Sequence, residues 1–179
     1  MVSPHSNGEC SDGHGREDQT YSSCGTSRGC RRFIGKITAI DASFTYDGLD
    51  AGNIRTVPEL GGGSLYDLGP YSAVAPLWIT NFAPVKDIAT EVTWHPGGSD
   101  ETLKATYTIG EVKATILTSM NIPDKITLLI TGTEGTISTG GNDAFVSHNN
   151  PSTLIIENKD GKKVEDFAAC DPYQLMAES

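Results

Sequence analysis

Strict alternation of apolar and polar residues in two adjacent runs, 103–109 and 112–120, constrains the fold more than any other feature. A period of two places the apolar side chains on one face of a β-strand. Gly110 and Glu111 separate the runs, and a two-residue loop with glycine in first position is typical of a β-hairpin. The chain is therefore predicted to form an antiparallel sheet with one apolar and one polar face.

The same reasoning predicts further strands, which are expected at 34–46, 85–94, 125–132, 135–140, 152–158 and 162–167. Asp160-Gly161 favours a type I′ turn between the last two strands. Period two also places Ile88, Val92 and Trp94 on one face. Trp78 and Trp94 are interpreted as core residues rather than as ligand platforms.

One segment, SLYDLGPYSAVAPLWI at 64–79, has apolar residues near helical spacing and is the best helix candidate. Pro70 is tolerated only in a first turn, so we expect the helix to begin near Asp67, whose carboxylate would cap the free amides. Pro76 should end or kink it. One helix inserted into an antiparallel sheet gives an α+β fold.

Asp67 and Tyr71 are four residues apart, so on a helix they point the same way. Gly61 to Gly63 and Gly69 leave the backbone around them without side chains. Two interpretations stay open at this point. The pair is either a helix cap with a half-buried tyrosine after a turn, or a polar pair that faces a ligand.

Composition limits the partners of the chain. With 179 residues and 37% hydrophobic content it fits one globular domain with length left for a tail. A net charge of −10 argues against binding to nucleic acid or to an anionic membrane. Apolar runs stay shorter than the roughly 18 residues of a membrane span. The N-terminus lacks a signal-peptide pattern, so we predict a cytoplasmic protein with free thiols.

Residues 1–33 differ from the rest of the chain, because they carry almost no aliphatic residues and no periodicity. We expect them to form a disordered tail that precedes a domain at 34–179. Cys10, His14, Cys24 and Cys30 raise the alternative of a zinc site. Structural zinc sites usually use short Cys-x2-4-Cys pairs, which these spacings do not provide, so no metal site is predicted.

The run NIRTVPELGGGSLYDLGPYS at 53–72 resembles a signature of the glucose-fructose oxidoreductase, inositol dehydrogenase and rhizopine-catabolism (Gfo/Idh/MocA) family. The resemblance is greatest to NADP-dependent D-xylose dehydrogenases and dimeric trans-dihydrodiol dehydrogenases. IGKITAIDASF at 34–44 and ITGTEGTI at 130–137 are also similar to segments of the family's C-terminal domain. The similarity extends from residue 34 to about residue 170.

The resemblance implies an open, mostly antiparallel sheet whose free face forms a homodimer, and NADP as the cofactor for oxidation of a sugar or diol. It implies that Tyr71 is the catalytic acid/base and that Asp67 assists it or orients the substrate. It also implies that Gly63 and Gly69 lie at the cofactor. Arg55 corresponds to an arginine near the substrate or the cofactor phosphate, although a surface position suits it equally.

The sequence also departs from the family, because it contains neither Glu-Lys-Pro nor a Gly-x-Gly-x-x-Gly motif after a strand. The family's Rossmann domain is therefore expected to be absent from this chain, with weak or no NADP binding. Three hypotheses follow. The chain is an oxidoreductase that is truncated and inactive alone, a non-catalytic binding or regulatory protein, or a dimerisation module.

Overall fold

The computed structural model describes residues 32–49, 52–141, 144–145, 150–169 and 171. Two helices follow the first strand, α1 (Ser64–Ser72) and α2 (Val74–Ile79), after short 3-10 turns at Ile54–Thr56 and Pro58–Leu60. The strands are β1 (Ile37–Asp47), β2 (Val85–Trp94), β3 (Asp100–Ile109), β4 (Val112–Ser119), β5 (Asn121–Gly132), β6 (Gly135–Thr139), β7 (Ser152–Asn158) and β8 (Gly161–Phe167).

All eight strands belong to one sheet in the order β2-β3-β4-β1-β5-β6-β7-β8. β1 lies between two antiparallel meanders and pairs antiparallel with β5. It runs parallel to β4, with Ala42 opposite Ile116. This parallel pair arises because the chain crosses the sheet through α1 and α2 before it returns along β2, β3 and β4. The predicted α+β fold with an open, mostly antiparallel sheet is confirmed.

The two helices cover the middle of one sheet face. Alternate residues of β1, β4 and β5 form a core there, with Ile40 opposite Ile130 and both of them buried. Ile79 of α2 joins the same cluster, and Phe33 packs against it from before β1. The opposite face carries many polar side chains, such as that of the exposed Asp41.

The turn between β3 and β4 has the predicted form, since Ile109 pairs with Val112 and Gly110 has a φ of 59°. The turn before β8 differs from the expectation. Asn158 pairs with Gly161, so Lys159 and Asp160 form the turn and Gly161 opens the strand at a φ of 121°. The Asn158 side chain accepts a hydrogen bond from the Asp160 amide, which stabilises a turn one residue earlier than predicted.

The predicted start of the helix near Asp67 is wrong. α1 begins at Ser64 and ends at Ser72, and Pro70 lies inside it rather than in its first turn. A second helix, α2, then begins at Val74 and contains Pro76. The early start is possible because Asp100, a residue of β3, accepts the Leu65 amide at 2.7 Å, so Asp67 is not needed as a cap.

The core assignment of the tryptophans is also wrong. Trp78 is 53% exposed and Trp94 64% exposed. β2 is an edge strand, and its pairing with β3 is irregular near Asp87, which has a φ of 56°, and again between Thr93 and Trp94. Most of β2 is exposed because the helices pack over β1, β3 and β4 instead.

Residues 1–31 lie outside the described part, so the expected tail and the cysteine and histidine residues in it stay predictions. Across the ranges that are described, no helix combines the length and hydropathy needed to cross a membrane. The cytoplasmic location likewise stays a prediction.

Candidate functional site

An open cavity of about 450 Å³ lies between α1, the end of β1 and the turn at 53–56. Its lining brings together three residues that the sequence singled out, Arg55, Asp67 and Tyr71. Four more described side chains complete the wall, namely Phe44, Tyr46, Asn53 and Leu68, together with the backbone of Gly48. The cavity therefore combines aromatic and aliphatic walls with charged and hydroxyl groups.

Arg55 and Asp67 form an ion pair at the mouth of the cavity. The Arg55 Nε atom donates to Asp67 Oδ2 at 2.7 Å. The 3-10 turn at Ile54–Thr56 presents the arginine, and Asn53 Oδ1 fixes that turn by accepting the Arg55 amide at 3.0 Å. The hydrogen bond that Arg55 donates to Asp67 raises the pKa of the Arg55 guanidinium, so the arginine stays charged.

Tyr71 lies one helical turn after Asp67 on α1, as the four-residue spacing predicted. Its ring meets Phe44 of β1 edge-to-face, with 5.3 Å between centroids and 62° between planes. Phe145 stacks on Phe44 at 6.1 Å and lies 6.4 Å from Tyr71. These contacts hold the ring of Tyr71 while leaving 44% of the residue exposed.

Tyr46 is a cavity residue that the sequence reasoning missed. It follows Phe44 by two positions on β1, so both side chains point to the helix-covered face. Burial raises the pKa of its phenol, Arg55 acts to lower it, and Asp67 acts to raise it. The alternation in ITAIDASFTYD carried the signal, because Tyr46 lies in register with the apolar positions of β1.

Asp100 was also missed, and it seats α1 on the sheet. Its Oδ2 atom accepts hydrogen bonds from the Leu65 amide and from the Ser64 hydroxyl, both at 2.7 Å. Ser64 Oγ also lies 2.9 Å from Thr118 Oγ1 of β4. A carboxylate at a helix N-terminus is favoured by the free amides and by the helix dipole. No local motif predicts this cap, because Asp100 is 36 residues away in sequence from Ser64.

Gly63 and Gly69 lack side chains for reasons of packing inside the domain. A Cβ on Gly63 would lie 2.1 Å from Asp100 Oδ1, and Gly63 has a φ of 128°. A Cβ on Gly69 would lie 2.8 Å from Leu65 Cδ1. Both residues are buried. Contact between these glycines and a cofactor stays a prediction.

The described residues do not fit the pyrophosphate of NADP. Such a group is usually held at a glycine-rich turn that opens a helix, and Gly61 to Gly63 before α1 have that form. The Asp100 carboxylate already occupies this helix N-terminus, and its negative charge disfavours a phosphate there. Nor do the described residues include a group of three or more His, Cys, Asp or Glu placed to hold a metal ion.

Residues 31–138 match the family model of the GFO/IDH/MocA C-terminal domain. The chain belongs to this family of oxidoreductases. No curated protein sequence is significantly similar to it.

Solved structures share the fold. The Tyr→Phe variant of KijD10, a 3-ketoreductase from Actinomadura kijaniata in complex with TDP-benzene and NADP, has a TM-score of 0.74 at 20% identity, over 92% of this chain and 50% of that one. A provisionally assigned NADPH-dependent oxidoreductase from Desulfitobacterium hafniense has a TM-score of 0.64 at 16% identity, over 83% and 46%. An NAD-binding protein from Listeria innocua has a TM-score of 0.58 at 16% identity, over 79% and 43%. The chain thus spans about half the length of these structures.

Proposed function

We propose that this chain is the substrate-binding half of an NADP-dependent oxidoreductase that interconverts an alcohol and a carbonyl group. The observation that carries the proposal is the convergence of Tyr71, Asp67 and Arg55 on one cavity. We further propose a sugar or trans-dihydrodiol as the substrate, with D-xylose 1-dehydrogenase chemistry as the leading case. The carbonyl chemistry in the name of KijD10, a 3-ketoreductase, supports the same reaction class.

Oxidation of a CH–OH group removes a hydride and a proton, and the residues of the cavity account for the proton. The Tyr71 phenol exchanges that proton with the substrate oxygen. Asp67, one turn away and paired with Arg55, orients a neighbouring polar group of the substrate. Phe44 and Leu68 provide apolar surface for the carbon skeleton. In the complete reaction NADP accepts or donates the hydride, and we expect this chain alone to bind NADP weakly or not at all.

A chimaera tests the proton role directly. This chain is joined to the half of KijD10 that it does not cover, and NADP reduction with D-xylose or a trans-dihydrodiol is followed at the absorbance of NADPH. Tyr71→Phe should lower kcat by about 10²- to 10⁴-fold, because it removes the proton-transfer group. Tyr107→Phe is the matched control, since Tyr107 lies outside this cavity, and it should keep full activity.

Full activity of the Tyr71→Phe chimaera would show that the acid/base assignment is wrong. Tight binding of a polyol by the chimaera with no turnover would instead favour the second candidate, a non-catalytic binding protein. The observation that favours this second candidate is that the described residues do not hold the cofactor's phosphates.

A further inference from the structure

Two tyrosines from different elements line the cavity, and the proposed function uses only one of them. Tyr71 is on α1 and packs on Phe44, whereas Tyr46 is on β1 beyond Phe44 and close to the ion pair. Tyr46, Arg55 and Asp67 line the same cavity, so the Tyr46 side chain faces the space beside that pair. The cavity therefore presents a second phenol next to the charged groups.

The surroundings of Tyr46 define what its hydroxyl can bind. Burial raises the pKa of this phenol, so it stays protonated at neutral pH and can both donate and accept a hydrogen bond. The hydrogen bond to Asp67 engages Arg55 Nε, and the pair carries no net charge. Neutral oxygens of a ligand suit this corner better than an anion does, because an anion would have to compete with Asp67 for the arginine.

We propose that Tyr46 is a substrate-binding residue that holds a second hydroxyl or carbonyl oxygen of the ligand, beside the Arg55–Asp67 pair, while Tyr71 holds the reacting oxygen. This inference rests on the proposed function and adds a specificity determinant to the same cavity. Tyr46 selects ligands with two neighbouring oxygens over mono-alcohols. Phe44, between the two phenols, contacts the carbon atoms of the ligand.

The test uses the full chain and two probes, trans-cyclohexane-1,2-diol and cyclohexanol, which differ by one hydroxyl. Binding is followed by NMR of ¹³C-labelled tyrosine rings, which also reports whether each variant is folded. The diol should bind more tightly than cyclohexanol. Tyr46→Phe should weaken diol binding by about 3- to 10-fold, the effect of one neutral hydrogen bond, and leave cyclohexanol binding unchanged. Tyr107→Phe, the matched control, should change neither affinity.

Each outcome separates this inference from the proposed function. An unchanged diol affinity in Tyr46→Phe overturns the role of Tyr46, even where the Tyr71→Phe chimaera loses turnover as expected. A selective loss of diol binding in Tyr46→Phe supports that role, even where the chimaera result contradicts Tyr71 as the acid/base. Probes that shift neither the Tyr46 nor the Tyr71 signals overturn the role of Tyr46, whereas the proton role of Tyr71 is decided by the chimaera.

Discussion

Arg55 and Asp67 show how one residue pair serves orientation more than stability. Their side chains are 40% and 29% exposed, so water screens the ion pair and its contribution to folding is at most about 1 kcal/mol. The hydrogen bond nevertheless fixes a flexible arginine against α1, at the cavity that also holds Tyr46 and Tyr71. The value of the pair therefore lies in the geometry it gives to neighbouring groups.

Two partly buried phenols make the stability of the fold depend on pH in the alkaline range. Burial raises the pKa of both Tyr46 and Tyr107 above the value of about 10 expected for the unfolded chain. The folded state therefore holds more protons than the unfolded state once the pH exceeds about 10. The stabilisation is fully present below pH 10, and it is lost as the pH rises through the folded pKa values.

Urea unfolding between pH 8 and pH 11 measures this effect. The free energy of unfolding should fall above about pH 10, and Tyr107→Phe and Tyr46→Phe should each reduce the slope. Tyr66→Phe is the control, because Tyr66 is 77% exposed and should leave the slope unchanged. An identical slope in the variant with both Tyr46 and Tyr107 replaced would contradict the role of these phenols.

At the scale of elements, the position of α1 depends on a cap from another strand. Asp100 binds the first turn of the helix, and Ser64 links the same turn to Thr118 of β4. Gly63 lets the Asp100 carboxylate approach the backbone closely. This network sets the register of α1 on the sheet, and through it the direction in which Asp67 and Tyr71 point.

Asp100→Ala should lower the free energy of unfolding by about 1–2 kcal/mol, the usual cost of removing a helix cap. Glu59→Ala is the control, because Glu59 is exposed and lies outside both this cap and the proposed dimer face, and it should change stability by less than about 0.5 kcal/mol. Gly63→Ala should also destabilise, since it adds a Cβ at a positive φ against the carboxylate. Asp100→Ala and Gly63→Ala disturb the same contact between the carboxylate and the backbone. Urea denaturation of the double variant should therefore show a loss of unfolding free energy smaller than the sum of the two single losses. A fully additive loss would argue against a shared network.

For the whole molecule, the face of the sheet opposite the helices is the surface on which we propose the homodimer. Asp41 pairs with Thr115 on one side and with Leu129 on the other, and Leu129 pairs in turn with Ser138. Their side chains form a shallow surface of small polar groups around Leu129, which is 36% exposed. Such a surface allows two sheets to approach closely.

Leu129→Lys should dissociate that dimer. The substitution places one positive charge from each subunit at the centre of a face that the dimer would bury, and the two charges repel each other. Sedimentation velocity over a range of concentrations measures the change, and we expect the dimer dissociation constant to rise at least about tenfold. Trp78→Lys changes an exposed apolar residue on the helix side and serves as the control. A dimer that survives Leu129→Lys and is lost in Trp78→Lys would place the interface on the helices instead.

The sequence determined the local features of this protein. Alternation in runs such as 103–109 set which side chains face the core, because a strand turns successive residues to opposite faces whatever its neighbours are. The spacing of Asp67 and Tyr71 set their common direction on α1 for the same kind of reason. These properties depend only on the geometry of the backbone over a few residues.

The tertiary structure alone decided which distant segments meet. It paired β1 with β4 in parallel, placed β2 at an exposed edge, and brought Asp100 to the start of α1. It also placed Tyr46 in the same cavity as Arg55 and Asp67. Local periodicity cannot encode these contacts, because the order of strands in the sheet follows from how the whole chain buries its apolar faces together.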